Sequence, residues 1–485
     1  MAFNNLAEFL ADLEKEGDLK RISQQVSPRL QITEIADRVM RRQGPALFFE
    51  RVEGSEIPLV INLFGSAGRM AKALGCRDLE EIAQRIRALL DLRIPRGLWG
   101  KISAVLPRLK ELSSFPSKVV RSAPCQEVVL EGEKADLRRL PVLTCWPQDG
   151  GPFITLPLVI TKDPDTGTRN VGMYRMQVYD GRTTGMHWHR HKGGAAHFRK
   201  HRSRGTPMEV AVALGGPPAL IYAATAPLPE QLEEFAFAGF LQRSPVELVR
   251  AKTVDLEVPA EAEIVLEGYV DPAEPLRREG PFGDHTGFYS LPEDYPVFHL
   301  KAITMRRNPV YPTTIVGPPP KEDYWLGYAT ERVFLPLLQW MIPEIVDLHM
   351  PAEGVFHNLV FVSIRKQYPG HAYKVMHALW GQGQMMFAKV IVVVDEDVNV
   401  QDPKEAWWVA LNHIDPQRDI LFTRGPLDEL DHAGAQPTFG SKMGIDATRK
   451  WSEEGFCRPW PDRIRMTPEV QQQVDRLWER LRLDD

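Results

Sequence analysis

Cysteine is scarce in this chain: Cys76, Cys125, Cys145 and Cys457 are the four that 485 residues contain, and no two form a Cys-x-x-Cys pair. Such wide scatter excludes a dense disulfide framework, implies no structural zinc, and suits a reducing compartment. A long hydrophobic run is missing too. The strongest one, Val390 to Val394, is cut at once by Asp395, Glu396 and Asp397, far short of the roughly 18 apolar residues that span a bilayer. The amino end enters an amphipathic, partly acidic pattern from Leu6 and lacks the charged start and apolar core of a signal peptide, so a soluble, cytoplasmic protein is expected. Nor is there an excess of positive charge. With a formal net charge of -5 and a pI near 6.3, nucleic acid is excluded as the main partner, because phosphate neutralisation asks for a basic face.

What the chain does have is length and apolar content. Its 43% hydrophobic residues over 485 positions exceed what one core normally holds, which predicts a multidomain α+β protein. From Leu6 to about Leu109 helical spacing at Ile32 to Met40 alternates with strand-like runs at Ala46 to Phe49 and Pro58 to Leu63, the pattern of an N-terminal α/β domain over 1-115. Pro116, Pro124 and Pro141 then punctuate mixed charges, with a short strand at Val128 to Leu130. A β-rich stretch follows over 116-316, with runs at Ile154 to Thr161, Tyr174 to Tyr179, Ala219 to Ala223, Ile264 to Val270 and Val297 to Met305, spaced as in a barrel or sandwich. A helix at Glu230 to Leu241 interrupts it. Beyond Gly317-Pro318-Pro319-Pro320 a C-terminal α/β domain, 317-485, is predicted from strands at Val355 to Ile364 and Lys389 to Val394 and a helix at Glu405 to His413. A final helix, Thr467 to Leu483, carries Val470, Val474, Leu477 and Leu481 at helical spacing; core packing would cover this stripe, or else a neighbouring subunit would.

Two clusters carry the chemistry. His187, His189 and His191 alternate, so on a strand they would share a face and could gather a metal, or else form a polar edge against water or phosphate. His197 and His201 lie four apart among Arg199, Lys200, Arg202 and Arg204, which reads as a solvated basic helix face rather than as a metal site. Tyr174-Arg175 and Lys192-Gly193-Gly194 offer amide donors and fixed cations to an anion such as a cofactor phosphate, although Gly-Gly alone also makes a tight turn. About a hundred residues on, Glu279 and Asp284 sit between Gly280, Pro281, Gly283 and Gly287. Two carboxylates beside one cation can take different protonation states, one ionised in a salt bridge and one neutral as proton donor.

These motifs resemble those of the UbiD-type decarboxylases, the 4-hydroxy-3-polyprenylbenzoate decarboxylases and their relatives. The likeness rests on Asn170-Val-Gly-Met-Tyr-Arg, His191-Lys-Gly-Gly-Ala, Glu234-Phe-Ala-Phe-Ala-Gly, Asp255-Leu-Glu-Val-Pro-Ala, Glu263-Ile-Val-Leu-Glu-Gly-Tyr, Glu279-Gly-Pro-Phe-Gly-Asp-His-Thr-Gly and Gly440-Ser-Lys-Met-Gly-Ile-Asp-Ala-Thr, and covers nearly the whole chain. It implies a central split β-barrel of flavin-reductase type that binds prenylated FMN with manganese, or magnesium, and often potassium. The implied metal ligands are Asn170, His191 and Glu234, a mostly hard donor set. Met173, Tyr174, Arg175, His187, Trp188, His189, Lys192 and Gly193 would contact the cofactor, and Lys389 would reach its phosphate. Arg175, Glu279 and Asp284 match the catalytic trio, with Arg175 positioning, Glu279 relaying protons and Asp284 protonating the substrate carbon. Asp at the last position, followed by His285, points to a phenolic acid such as 4-hydroxy-3-polyprenylbenzoate in quinone biosynthesis; another aryl, heteroaryl or α,β-unsaturated acid is the alternative substrate.

The resemblance further implies reversible, non-oxidative loss of CO2, a flavin prenyltransferase as cofactor supplier, and a homo-oligomer, dimer or hexamer. A polyprenylated substrate would need brief contact with a membrane surface. Two readings of another kind compete: a metal-dependent hydrolase using His187, His189 and His191 with Glu279 as base, and a non-catalytic flavin-binding protein.

Overall fold

The computed structural model describes residues 2-91, 114-189, 192-229 and 232-481, apart from the side chains of Glu479 and Arg480. Its architecture is mixed α and β in several sheets. The strands Leu19–Val26, Ala46–Val52 and Leu59–Ile61 form a sheet completed by Tyr311–Pro312, which comes from the far side of the β-rich stretch. Helix Gln31–Met40 buries Ile32, Ala36 and Met40 against this sheet, the three-to-four spacing that a one-sided helix needs.

The largest sheet has seven strands. Thr183–Gly185, Val297–Met305, Ile264–Val270, Met208–Leu214, Leu158–Lys162 and Arg169–Met173 follow one another across it, all antiparallel, and Val128–Glu131 also pairs with Val297–Met305. Ile264–Val270 is buried at six of its seven positions, because both faces of the sheet are covered and an alternating pattern would leave polar groups without water. Among the described residues the two end strands of this path do not pair with each other. The described residues thus form no closed barrel.

Four expected strands change. Ala219 to Ala223 lies in a helix, Pro218–Ala223, buried on every side. A short apolar run without period cannot separate buried strand from buried helix, and Gly215 and Gly216 at φ +77° and +117° turn the chain out of the sheet just before Pro218 opens the helix. Pro157 splits Ile154 to Thr161 into Phe153–Ile154 and Leu158–Lys162, since proline has no N–H for a ladder. Val355 and Phe356 take positive φ, so the strand expected from Val355 begins at Leu359; of Tyr174 to Tyr179 only Met176–Gln177 is paired. The helix expected from Glu230 is Glu234–Gln242, Glu230 itself lying outside the described residues.

The last sheet orders Ile345–His349, Leu359–Ile364, Val390–Asp395, Phe439–Asp446 and Ile420–Pro426, with its three central strands parallel. Helix His371–Trp380 makes the crossover between the first parallel pair. The 20-residue helix Glu322–Met341 joins the units. Leu326, Ala329 and Val333 belong to the core under the N-terminal and central segments, whereas Leu335 belongs to that of the last sheet. At its start the buried Glu322 carboxylate accepts from the backbone N–H groups of Asn62 and Phe64 and from the Thr314 hydroxyl.

The terminal helix, Pro468–Leu481, departs from the expectation of core packing. Val470, Val474, Leu477 and Leu481 are 37–54% exposed, so the described residues leave the stripe partly uncovered. Leu483 lies outside the described residues. No helix among them is long and apolar enough to cross a membrane.

Candidate active site

The strand Arg169–Met173 holds Asn170 and delivers Tyr174 and Arg175 just beyond its end. Arg175 is the hub. Its Nε donates to Glu279 Oε1 at 3.2 Å, Nη1 donates to Asp284 Oδ2 in a close pair, and Nη2 donates to Ser290 Oγ at 3.1 Å, with the guanidinium 4.6 Å over the Phe282 ring. Guanidinium donors sit in a rigid fork, so the loop that supplies these partners must be held in register. It is held from the turn at 145-150. Asp149 accepts from the N–H groups of Cys145, Trp146 and Gly283, and Gln177 accepts from the Gly280 N–H. A β-carbon at Gly283 would stand 2.1 Å from the Trp146 ring, which is why glycine occupies that position.

The two carboxylates differ in protonation. Burial pushes Glu279 up to about 7, against the opposing pull of Arg175. Burial acts upward on Asp284 as well, yet Arg175 and His285 override it and hold Asp284 well below the usual carboxylate range. The resting cleft therefore has an ionised Asp284 and a Glu279 that titrates near neutrality. His285 Nδ1 lies 3.1 Å from Asp284 Oδ1, and its Nε2 lies 3.1 Å from His357 Nε2.

Past Gly185 the chain leaves the sheet, so His187 and His189 do not share a strand face. Their rings meet edge to face with Nε2 atoms 2.6 Å apart, and His187 Nδ1 is 2.7 Å from Glu279 Oε1. Burial and the nearby Arg175 push His187 well below the usual imidazole range; burial likewise takes His189 to about 3. Among the described residues both rings are thus engaged with each other and with Glu279. His191 lies outside them. The three donors that do come within 4.8 Å of one another are His285, His357 and Asp428.

The expected metal ligands Asn170 and Glu234 are brought together with Tyr174 and with positions 193-194 in the first turn of the next helix. Glu234 accepts from the Val171 N–H at 2.8 Å, and the Tyr174 hydroxyl accepts from Asn170 Nδ2 at 3.3 Å and from the Gly194 N–H at 3.4 Å. Gly193 and Gly194 begin the helix Gly193–Arg204 rather than a tight turn. A β-carbon at Gly193 would stand 2.0 Å from the Asn170 side-chain oxygen. Burial raises Glu234 to about 7, with no cation among the causes that act on it. Trp188 packs on Phe198 at 5.5 Å, and its buried Nε1 finds no partner among the described residues. Met173 adjoins the core and donates its N–H to Ala224 O at 3.2 Å. His197 is buried rather than solvated, with Nδ1 2.9 Å from Thr161 Oγ1, while Lys200 and Arg204 pair with Asp163 and Asp165.

Lys389 approaches from the C-terminal sheet. It pairs closely with Asp431 and lines a cavity of about 110 Å³ with His357 and His432. Sequence reasoning missed this wall. Glu429 lies 3.3 Å from His189, and the charges of Asp428 and Glu429 face Lys192. The available signal was the run Asp428-Glu429-Leu430-Asp431-His432 between Pro426 and Gly434, too charged for a plain turn. Ser290, Asp149 and His357 gave no such signal. A larger cavity of about 560 Å³, lined by Lys162, His201, Asp255 and Lys301, shares no residue with the cleft.

Family models match in three consecutive parts. The 3-octaprenyl-4-hydroxybenzoate carboxy-lyase N-terminal domain matches residues 10-87, its Rift-related domain 118-319 and its C-terminal domain 324-447. The class is thus that of the carboxy-lyases, enzymes that remove CO2 from an acid. Two uncharacterized proteins, from Aquifex aeolicus and from Archaeoglobus fulgidus, are each 52% identical over 484 residues, covering 99% of this chain and 99% of theirs. Among solved structures, the UbiD-class enzyme HmfF from Pelotomaculum thermopropionicum in complex with FMN is 31% identical with a TM-score of 0.81, over 97% of this chain and 99% of that one. Vanillic acid decarboxylase from Sedimentibacter hydroxybenzoicus in closed form is 28% identical with a TM-score of 0.86, over 99% and 100%. The chain belongs to the UbiD family of decarboxylases.

The pH dependence of the flavin-free protein tests the Glu279 environment. The unfolded group titrates near 4.5 and the folded one near 7, so the stability it contributes is complete below about pH 4.5 and is lost as pH rises through about 7. Glu279→Gln should match the wild type at pH 4.5 and exceed it at pH 8 by roughly 3 kcal/mol, read from denaturant unfolding at both pH values. Equal differences at the two would refute the assignment.

Proposed function

We propose that this decarboxylase removes CO2, reversibly and without net oxidation, from an aromatic carboxylic acid of the 4-hydroxybenzoate type, such as 4-hydroxy-3-polyprenylbenzoate in quinone biosynthesis, with prenylated FMN as cofactor. The observation that carries the reading is the Arg175 fork, which ties Glu279 and Asp284 into one buried unit. The FMN complex of HmfF and the vanillic acid substrate named for the Sedimentibacter enzyme support the cofactor and the substrate class.

The residues present fit both groups. Glu234 is a buried carboxylate raised by desolvation, beside an amide oxygen at Asn170 that only a glycine at 193 leaves room for. Together with His191 they would hold a divalent manganese or magnesium ion, a donor set rich in oxygen as those ions prefer. Lys192, Lys389 and the amides opening the Gly193–Arg204 helix would hold a phosphate. Bound prenylated FMN supplies the electron sink that an aryl C–C cleavage needs, because the electron pair left in the ring plane cannot enter the π-system. A flavin prenyltransferase would supply it.

The chain's own residues orient and protonate. Arg175 binds the substrate carboxylate while keeping Asp284 and Glu279 in place, and burial under Phe282 and Phe153 keeps water from the reacting carbon. Asp284 delivers a proton to that carbon after CO2 leaves, and Glu279, poised near neutrality, passes protons to and from His187. The bare stripe on Pro468–Leu481 supports a homo-oligomer as its cover, a dimer or hexamer.

Protein made together with a flavin prenyltransferase, assayed against a panel of hydroxybenzoic, heteroaromatic and cinnamic acids, should release CO2 from a hydroxybenzoate. Asp284→Asn should lower kcat by about 10²–10⁴-fold with cofactor retained, and full turnover would remove Asp284 from the mechanism. For the metal, Glu234→Gln should lose flavin and manganese together on gel filtration; unchanged content of both would count against the ligand set. Removing residues 467-485 should shift the sedimentation coefficient to that of a monomer, and an unaltered assembly would place the interface elsewhere.

A further inference from the structure

We infer that His285 stores the proton that Asp284 delivers, so that the acid of this site is an Asp284–His285 pair rather than a lone carboxyl group. The inference rests on the decarboxylase reading and deepens it. A proton donor must hold its proton at working pH, yet Asp284 is paired with Arg175 and lies well below the usual carboxylate range. Its own oxygens are therefore bare at rest.

The contacts of Asp284 show where the proton is kept. Oδ2 accepts from Arg175, whose guanidinium does not titrate in this range; Oδ1 accepts from the backbone N–H of His285 at 2.8 Å and faces His285 Nδ1 at 3.1 Å. Of the side chains bonded to Asp284, His285 alone carries a proton that can leave near neutral pH. Glu279 shares Arg175 with Asp284 but has no bond to it.

His285 is built to be doubly protonated. With Nδ1–H directed at Asp284, Nε2 faces His357 Nε2 at 3.1 Å, and two imidazole nitrogens at that distance share one hydrogen. His357 is pushed down to about 4 by burial and by His285 itself, so it is neutral and accepts that hydrogen. The other charges facing His285 are Asp323, from the start of the Glu322–Met341 helix, and Asp428, from the loop before Lys389's partner Asp431. Burial lowers His285, but these carboxylates, Asp284 foremost, outweigh it and raise it above the ordinary imidazole value. Burial also takes Asp323 up to about 7, so its help grows as pH rises.

The step balances simply. The His285 Nδ1–H bond breaks as an Oδ–H bond forms on Asp284, and that Oδ–H bond breaks in turn as the C–H bond forms on the substrate carbon. One proton moves from imidazolium to carbon, the carboxylate is left as it began, and His285 ends neutral, to be recharged from water. His357 acts as a positioning residue, holding the ring by accepting from Nε2.

Two measurements test this. In flavin-free protein with labelled histidines, nuclear magnetic resonance should show one imidazole titrating above the ordinary value, absent in His285→Gln and lowered in Asp284→Asn; a His285 already neutral at pH 6 overturns the inference. In the loaded enzyme, using the panel acid that the wild type decarboxylates, kcat should fall as pH rises through the His285 value. His285→Gln and His285→Asn should each lower kcat at pH 7 about 100-fold and lose that alkaline limb, with KM and flavin content kept. His357→Gln should move the limb to lower pH. Wild-type kcat and an intact limb in both His285 variants would refute the proton store; a wild type inactive on every acid would instead refute the decarboxylase reading, leaving the resonance result to stand alone.

Discussion

One guanidinium organises the cleft. Arg175 is charged at every relevant pH and offers its donors in a plane that cannot bend to suit a misplaced partner, so Glu279, Asp284 and Ser290 must come to it. The chain meets that demand with the 278-290 loop clamped by Asp149 and Gln177 and pressed on Trp146 through Gly283. Because Asp284 takes the closer pair with Arg175 and Glu279 the longer bond, the same cation that stabilises one carboxylate leaves the other to the cost of burial. The difference in their titration is thus a consequence of position, not of residue type.

The wall opposite Arg175 depends on the helix Glu322–Met341. Its first half is packed in one core and its second half in another, and its buried Glu322 takes two backbone N–H groups from the 62-64 turn. Removing that carboxylate would leave those donors buried and unpaired, a larger penalty than the bonds themselves are worth. The next residue, Asp323, faces His285. The element that sets how the C-terminal sheet lies against the rest therefore also brings His357 and Lys389 to the cleft.

Much of this was legible in the sequence where a residue type has one physical use. Ile264–Val270 and Val297–Met305 were readable to the residue, since β-branched runs between turns admit few other structures. The Arg175, Glu279 and Asp284 group was legible through its glycine-framed loop and its family likeness. Ala219 to Ala223 was not, because an apolar segment buried all round carries no period. The His285–His357 contact was invisible for a different reason: Val355 and Phe356 adopt left-handed backbone without glycine, in the turn that leads to His357, whose partner lies some seventy residues earlier. The low titration of Asp284 could not be read from the sequence, which shows which groups are charged but not which lies nearest the cation.

The two ends of the cleft are held by bonds of different kinds. Around Arg175 the partners are almost wholly buried, Glu279 at 0% and Asp284 at 8% side-chain exposure, where breaking a pair strands a charge in low dielectric. At the other end Glu429 lies beside a neutral His189, and Lys389, 30% exposed, pairs with Asp431, where water and salt lower the worth of the contact. An anion entering among Lys192, Lys389 and the helix amides would exchange such pairs for its own at little net cost, whereas no ligand could exchange those of Arg175 so cheaply. Rigid pairing around Arg175 and exchangeable charge around Lys389 follow from a single gradient of burial along the cleft.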